Sequence, residues 1–388
     1  MEASTGSIFR TYFDAYKVHY PQPLHKLKAV TCLQTCRTAA RGGHVERCPE
    51  GHVTHVHYNS CKHRSCPQCN GLPGQRWLEK TEAKLLDCDH FHVVITLPHY
   101  LIILWWANPR LMADLLFKCA TKTIRKLLAD PKHLGAEVGM ICTLHTWGRD
   151  LSRHPHLHCL VTGGGITENG DWKAVKNDYL LPYKVLRKCF RGCYVKALRE
   201  AYKKGKLRLP RGLSETDLHK LIDKVASRVK WNTHICERYG HGKGVAIYLA
   251  RYARGGPINN KQISINPEGQ IVLRHKDHLT QRKKNTPLST DEFMRRILWH
   301  IPEPRQHVAR YYGLYHAKKS AIRASCRTKL GQAPEVAPPL LDCETYLEQL
   351  GVKIETHCNV CGARLVSELL IANQQAPPEE HQATKQAA

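Results

Sequence analysis

The sequence predicts an α+β protein carrying a small metal-held module near its N-terminus, and three observations lead there. Apolar runs of strand length occur in pairs joined by polar turns. Long basic segments show helical spacing, and a Cys/His cluster occupies a stretch poor in aliphatic residues. A chain of 388 residues with 42% hydrophobic content can bury a substantial core and divide into two or three domains.

Along the chain, residues 1–30 form an N-terminal helical segment, with Ile8, Tyr12, Tyr16 and Tyr20 about one turn apart. Residues 31–80 form the Cys/His module, punctuated by Gly42, Gly43 and the Gly71 to Gly74 turn. The main body follows over 84–300. Phe91 to Leu97 reads as a buried strand ended by Pro98, and 108–130 as a helix. Met140 to Trp147 and His156 to Thr162 read as two strands joined by the polar turn Gly148 to Pro155. A basic helical insertion spans about 184–228, broken near Pro210 and Gly212. Trp231 to Cys236 is a further strand, Gly244 to Ala253 a helix stopped by Gly255, Gly256 and Pro257. Ile263 to Ile265 and Ile271 to Leu273 form a hairpin. Residues 301–372 read as a basic helical region with a lone Cys358-x-x-Cys361, and 373–388 as a disordered tail.

The net charge of +26 makes nucleic acid the expected partner. The most apolar stretch, Tyr100 to Trp106, is too short to span a bilayer, which argues against a membrane protein. The N-terminus lacks the basic and apolar regions of a signal peptide, so a cytoplasmic location is expected. In that reducing compartment the 17 cysteines are thiols or metal ligands rather than disulfides. Cys119, Cys142 and Cys159 sit singly among apolar residues and read as small core residues.

Cys36, His44, Cys48, His52, Cys61, His63, Cys66 and Cys69 supply eight candidate ligands for one or two structural Zn²⁺ ions, with His55 and His57 as further candidates. Zinc takes four sulfur or imidazole ligands, and a Cys-x-x-Cys knuckle delivers two at once. Cys358 and Cys361 make half of another site, with Cys326, Cys343 or His357 as helpers.

His-x-His occurs at His55/His57, His90/His92, His154/His156 and His156/His158, so spacing alone selects none of them. Context favours the last pair. His156 and His158 open the apolar run Cys159 to Val161, and on a strand they share one face while Leu157, Cys159 and Val161 point into a core. Two imidazoles side by side on a rigid element begin a divalent-metal site. His145, on the preceding strand, is the first choice for a third ligand; Asp150 and His154 are the alternatives.

Tyr248 and Tyr252 share a helix face by their spacing of four, as do Tyr16/Tyr20, Tyr179/Tyr183 and Tyr311/Tyr315. Their setting distinguishes them: a flexible Gly240 to Gly244 lead-in precedes them, and Lys243, Arg251 and Arg254 surround them as candidate DNA contacts. A phenol with a pKa near ~10 is a poor nucleophile at neutral pH. It becomes competent on a phosphodiester when a divalent ion neutralises the added charge. One tyrosine suffices for a nick, and two allow strand transfer.

Taken in order, Cys36 through His44, Tyr58 through Cys69, His90 through Pro98, Leu144 through Trp147 with His154 through His158, and Tyr239 through Tyr252 resemble the HUH-type rolling-circle transposases of the insertion-sequence ninety-one family, the two-tyrosine class. The resemblance spans about residues 30–320. It implies an N-terminal zinc-binding domain followed by an HUH endonuclease domain, whose antiparallel sheet carries the histidines while a helix presents the tyrosines. It further implies His156 and His158 as ligands of Mg²⁺ or Mn²⁺ and Tyr248 and Tyr252 as nucleophiles. The expected activity is cutting and rejoining single-stranded DNA at element ends through a 5′-phosphotyrosine. The expected partners are single-stranded or hairpin element ends and target DNA, with action at the nucleoid and a homo-oligomer compatible with the chemistry. One departure concerns zinc: where relatives often carry a second Cys soon after the one matching Cys48, this chain offers His52. A replication initiator or relaxase uses the same chemistry. A non-catalytic zinc-dependent DNA-binding regulator would tolerate Phe at both tyrosines, and a metallohydrolase using water would leave no adduct.

Overall fold

The computed structural model describes residues 3–253, 255–277, 280–352 and 355–371. Arg254 and the tail expected to be disordered from 373 onward lie outside the described residues. The chain forms two compact units, each built from separate stretches of sequence.

In chain order, α1 (Thr5–His19) is opened by a capping box between Ser4 and Ser7, and α2 (Leu24–Thr35) follows Pro23. The Cys/His module contains β1 (Gly43–Arg47) and β2 (Thr54–Tyr58) and leads into α3 (Gly71–Glu82). Next come β3 (His90–Thr96), α4 (Ile102–Ala107) and α5 (Pro109–Ala129), whose proline sits at the first helical position. The long strands β4 (Glu137–Trp147) and β5 (Arg153–Ile166) precede the short β6 (Trp172–Ala174). The basic insertion is α6 (Tyr183–Lys203) and α7 (Glu215–Ser227), the latter capped by Ser214 and Asp217. Then follow β7 (Asn232–Tyr239), α8 (Lys243–Ala253), β8 (Ile263–Ile265), β9 (Ile271–Lys276), β10 (Lys283–Leu288) and α9 (Thr290–Trp299). The chain continues through β11 (Ala309–Gly313), α10 (Ser320–Lys329), α11 (Cys343–Gln349) and β12 (Val366–Ile371).

One unit comprises Trp77–Ala253 and Pro302–Pro338. Its antiparallel sheet has the order β11-β4-β5-β3-β7, with β6 pairing β5. Side-chain alternation divides the sheet between two cores. Leu157, Cys159 and Val161 join Phe91, Val93, Ile95, Met140 and Cys142 against α5, α6 and α7. Leu160 and Ile141 face the other way, with Val245, Ala246, Leu249, Ala250 and Ala253 of α8 and with Cys326 of α10.

The other unit comprises residues 1–76, Arg254–Ile301 and residues 339–388. It holds the helices α1, α2, α9 and α11 and two three-stranded sheets, β12-β1-β2 and β10-β9-β8. Asn260 accepts from both the backbone N–H and the hydroxyl of Thr5 at 3.1 Å, tying the hairpin region to the start of α1.

The two units run across the expected boundaries at 31–80, 84–300 and 301–372. Residues 254–301 belong with the N-terminal segments, and 302–338 complete the main sheet. The region after Pro302 is also not wholly helical. β11 (Ala-Arg-Tyr-Tyr-Gly) is an edge strand without an apolar run, held by its register on β4. β10 was equally hidden, because an edge strand tolerates lysines and Pro287 that a central strand would not.

Candidate metal centres and the tyrosine helix

The β4–β5 register sets His145 opposite His156, Leu144 opposite Leu157 and Thr143 opposite His158. Directly opposed residues share a face, so the odd positions of β5 carry the core while the even ones gather imidazoles. His145, His156 and His158 each offer a ring nitrogen, and these atoms lie within 4.8 Å of one another. The two Nε2 atoms of His156 and His158 are 3.0 Å apart. All three residues are buried, at 2%, 9% and 6% exposure. Asp150 and His154 stay outside this cluster: Asp150 accepts the Ser152 N–H at 3.1 Å within the turn, and His154 contributes its carbonyl.

That carbonyl orients the first imidazole. His156 Nδ1 lies 2.5 Å from the His154 oxygen and donates to it, which leaves Nε2 as a lone pair. His158 is backed differently. Its Nδ1 is 2.7 Å from Nε2 of His92 on β3, and His92 Nδ1 lies 3.6 Å from the Cys236 sulfur on β7. His145 stacks on Trp147 with ring centroids 5.0 Å apart. Burial pushes His156 down to about 3 and His92 to about 4, and it drives His145 and His158 well below the ordinary imidazole value. These rings are therefore neutral at physiological pH, the form that binds a cation. Three convergent imidazoles fit a divalent transition metal such as Mn²⁺ better than Mg²⁺, which prefers oxygen ligands.

Helix α8 packs on the same face of the sheet. Its buried stripe, Val245, Ala246, Leu249, Ala250 and Ala253, meets Ile141 and Leu160, and Leu160 is two residues beyond His158 on β5. Within the exposed lead-in to the helix, Gly242 is buried, while Gly240 has open space around it. A Cβ on Gly242 would come within 3.0 Å of the His90 ring, which is itself buried and held by Tyr315 Oη at 2.7 Å and the Cys88 carbonyl at 2.8 Å. Tyr248 and Tyr252 lie one turn apart in α8. Their side chains and that of Arg251 lie outside the described residues, as does Arg254 altogether. Lys243 is exposed, with Nζ 3.9 Å from a Glu82 carboxylate.

Six of the eight zinc candidates fall into two clusters. Cys36, Cys61, Cys66 and Cys69 form one cluster, with Cys69 Sγ 3.4 Å from Cys36 Sγ and 3.7 Å from Cys61 Sγ. A tetrahedral ion with Zn–S bonds of ~2.3 Å separates its sulfurs by about 3.8 Å, so the cluster has the size zinc requires. Hydrogen bonding within it holds the Cys69 thiol low and pushes Cys66 up, the pattern of crowded thiols sharing negative charge. Cys48 and His52 lie in a second cluster, with Cys358 and Cys361. His44 and His63 join neither of these two clusters. His44 stands opposite His57 across β1 and β2, beside Glu46, and His63 Nδ1 accepts the Ser65 N–H at 3.2 Å. The expected helpers of Cys358 and Cys361 also fall elsewhere. Cys326 is buried in the core under α10, Cys343 is exposed at the start of α11, and His357 bridges Arg364.

Reasoning from sequence missed His92 as the residue behind His158, although His90-x-His92 was visible as a pair. It also missed that Cys358-x-x-Cys361 completes the half-site begun by Cys48-x-x-x-His52. Each half was legible, but their partnership requires the strand pairing.

Two family models match the chain. The family model Y2_Tnp, whose description is "Putative transposase", matches residues 139–322, which include most of β4 and all of β5 and α8. The model for the transposase zinc-binding domain of IS91 elements matches residues 8–97, which include the four-cysteine cluster. The chain is 35% identical over 366 residues to y4qJ of Sinorhizobium fredii, which carries the same description, covering 92% of each chain. It is 29% identical over 356 residues to the transposase for insertion sequence element IS801 of Pseudomonas savastanoi pv. phaseolicola, covering 88% of this chain and 83% of the relative. Fold, zinc module and relatives together define a transposase, an enzyme that processes DNA. The chain belongs to the IS91 family of transposases. Among its described residues, no helix is long and apolar enough to cross a membrane.

Proposed function

We propose that this transposase cuts and rejoins single-stranded DNA at element ends through tyrosine, as in rolling-circle transposition. The observation that carries this reading is that helix α8, which bears Tyr248 and Tyr252, packs on the sheet face that gathers His145, His156 and His158. One phenolic oxygen attacks the scissile phosphorus. The Oη–P bond forms as the P–O3′ bond breaks, leaving a 5′-phosphotyrosine and a free 3′-hydroxyl. A divalent ion held by the three imidazoles would neutralise charge on the phosphate.

The protein's own contribution is orientation. The His154 carbonyl fixes one ring, His92 backs another, and the buried stripe of α8 fixes the height of the two tyrosine positions over the sheet. Because the phosphoester bond energy is kept in the tyrosine link, a second 3′-hydroxyl can reverse the step, and the second tyrosine allows another strand to be engaged meanwhile. Lys243, Arg251 and Arg254 would hold phosphates beside the helix. Lys118 and Lys122, in a cleft of about 390 Å³ where Asp114 pairs Arg310 and Glu137 pairs Arg125, would add phosphate contacts for single-stranded or hairpin ends and for target DNA. We assign action at the bacterial nucleoid on the same chemistry.

The test is a covalent-adduct assay on labelled single-stranded end DNA with Mn²⁺ or Mg²⁺, run on a denaturing gel. A metal-dependent shifted band that disappears in Tyr248→Phe/Tyr252→Phe is expected. DNA bound with no adduct would point instead to a regulator, and cleavage without an adduct to hydrolysis by water.

A further inference from the structure

The N-terminal zinc module is unfinished in its own stretch of sequence. β1 is flanked on one side by β2, from the same stretch, and on the other by β12, more than 300 residues later, with Gly43 opposite Ile371 and Arg47 opposite Val366. This register brings two turns to one end of the sheet. The β1–β2 turn runs from Cys48 to Val53, closed by the Cys48 N–H to the Val53 oxygen at 3.0 Å, with Gly51 at φ +77°. The turn before β12 has the same construction: the Cys358 N–H donates to the Ala363 oxygen at 2.8 Å, with Gly362 at φ +74°. Each is a tight turn presenting two ligand side chains.

The two turns bring their four ligand atoms together. Cys48 Sγ lies 3.4 Å from Cys361 Sγ and 3.7 Å from His52 Nδ1, and all four ligand atoms of Cys48, His52, Cys358 and Cys361 fall within 4.8 Å. The Val360 N–H points at Cys358 Sγ from 3.4 Å, as a backbone amide does toward a thiolate in a metal knuckle. Among the described side chains of these strands, burial offers little alternative glue. Val45 is the buried apolar side chain of β1, and β2 buries none.

We infer that Cys48, His52, Cys358 and Cys361 bind a second structural zinc ion, which staples the C-terminal strand β12 into the N-terminal module. The donor set, three thiols and one imidazole, selects zinc over hard cations. The segment matched by the zinc-binding family model, residues 8–97, thus contains one whole site and half of another.

The experiment counts metal in the full chain, in a His156→Ala/His158→Ala background so that the histidine cluster adds none. Elemental analysis should find two zinc ions per chain there, and still two in His44→Ala and in His63→Ala. Cys358→Ser/Cys361→Ser and Cys48→Ser should each retain one. His52→Cys guards against a variant that fails to fold, because it preserves four ligands. It should keep two ions and, after Co²⁺ exchange, strengthen the sulfur-to-cobalt charge-transfer band as a fourth thiolate joins. One zinc in the background protein, a count unchanged by Cys358→Ser/Cys361→Ser, or a cobalt spectrum unmoved by His52→Cys would each overturn the assignment. A Cys48–Cys361 disulfide, read as a 2 Da mass loss in the non-reduced protein, would overturn it as well.

Discussion

The histidine cluster and the cysteine clusters both gather nitrogen or sulfur ligands, but they stand on opposite kinds of foundation. His145, His156 and His158 sit on adjacent strands of a sheet whose other face is covered by a large apolar core, so their positions are fixed without any ion. The cysteine module has two short strands with one buried apolar side chain between them, and there the ion itself must supply the folding energy. Losing metal from the first region should remove chemistry and spare the fold. Losing it from the second should remove the fold.

The sharpest way to break this comparison is at the tyrosines. Tyr248→Phe/Tyr252→Phe should abolish covalent adduct and strand transfer, while the thermal midpoint and zinc content stay at wild-type values. Next in size is zinc removal. Cys66→Ser, or a strong chelator, should strip the four-cysteine site, whose ion contributes on the order of 10 kcal/mol. Proteolysis should then cut within residues 1–76 while the sheet carrying the histidines survives. If His156→Ala/His158→Ala unfolded the protein to the same degree, the contrast would fail; we expect adduct formation lost and the midpoint shifted little.

Smaller effects probe how α8 is seated. Leu249 is fully buried under the tyrosine helix, and Leu249→Ala should cost about 2–5 kcal/mol in a urea titration and lower adduct yield by misplacing the helix. Gly242→Ala should cost about 1–3 kcal/mol through its contact with the His90 ring.

Acid gives the mildest test. Burial lowers His90 and His92 to about 4, so below an ordinary imidazole value near ~6.5 the unfolded chain binds more protons than the folded one. The stability they contribute is present above that value and is lost as pH falls toward 4. Each should forfeit up to about 1 kcal/mol between pH 6.5 and 5.5, visible in urea midpoints at fixed zinc. A midpoint that rises on acidification would show these rings to be charged in the folded protein.

Where local pattern and burial agree, the sequence was legible. His156 and His158 fell on one face because Leu157, Cys159 and Val161 alternate with them, and α8 could be read because Gly255 and Pro257 stop it. His145 was reachable from the β4–β5 hairpin, whose turn fixes the register. What escaped were contacts made by residues with no local reason to meet. β10 and β11 lack apolar alternation because they lie at sheet edges, and Cys358 and Cys361 look like a stray half-site until β12 is laid against β1. The eight-residue cysteine and histidine cluster divides for a related reason: His44 and His63 are close in sequence to cysteines whose turns carry them into other clusters.

The β12–β1 pairing also sets an order of events on the ribosome. Cys48 leaves the tunnel 313 residues ahead of Cys361, an interval of about 15–60 s at ~5–20 residues per second. The four-cysteine site needs nothing beyond Cys69 and can close early in synthesis. β1, by contrast, waits with an open edge while the whole histidine-bearing sheet is made, exposed to pairing with other nascent chains. The region translated first is therefore the last to be completed, and a chain that stops after Pro338 but before Cys358 keeps the whole histidine sheet and carries an unsealed N-terminal module.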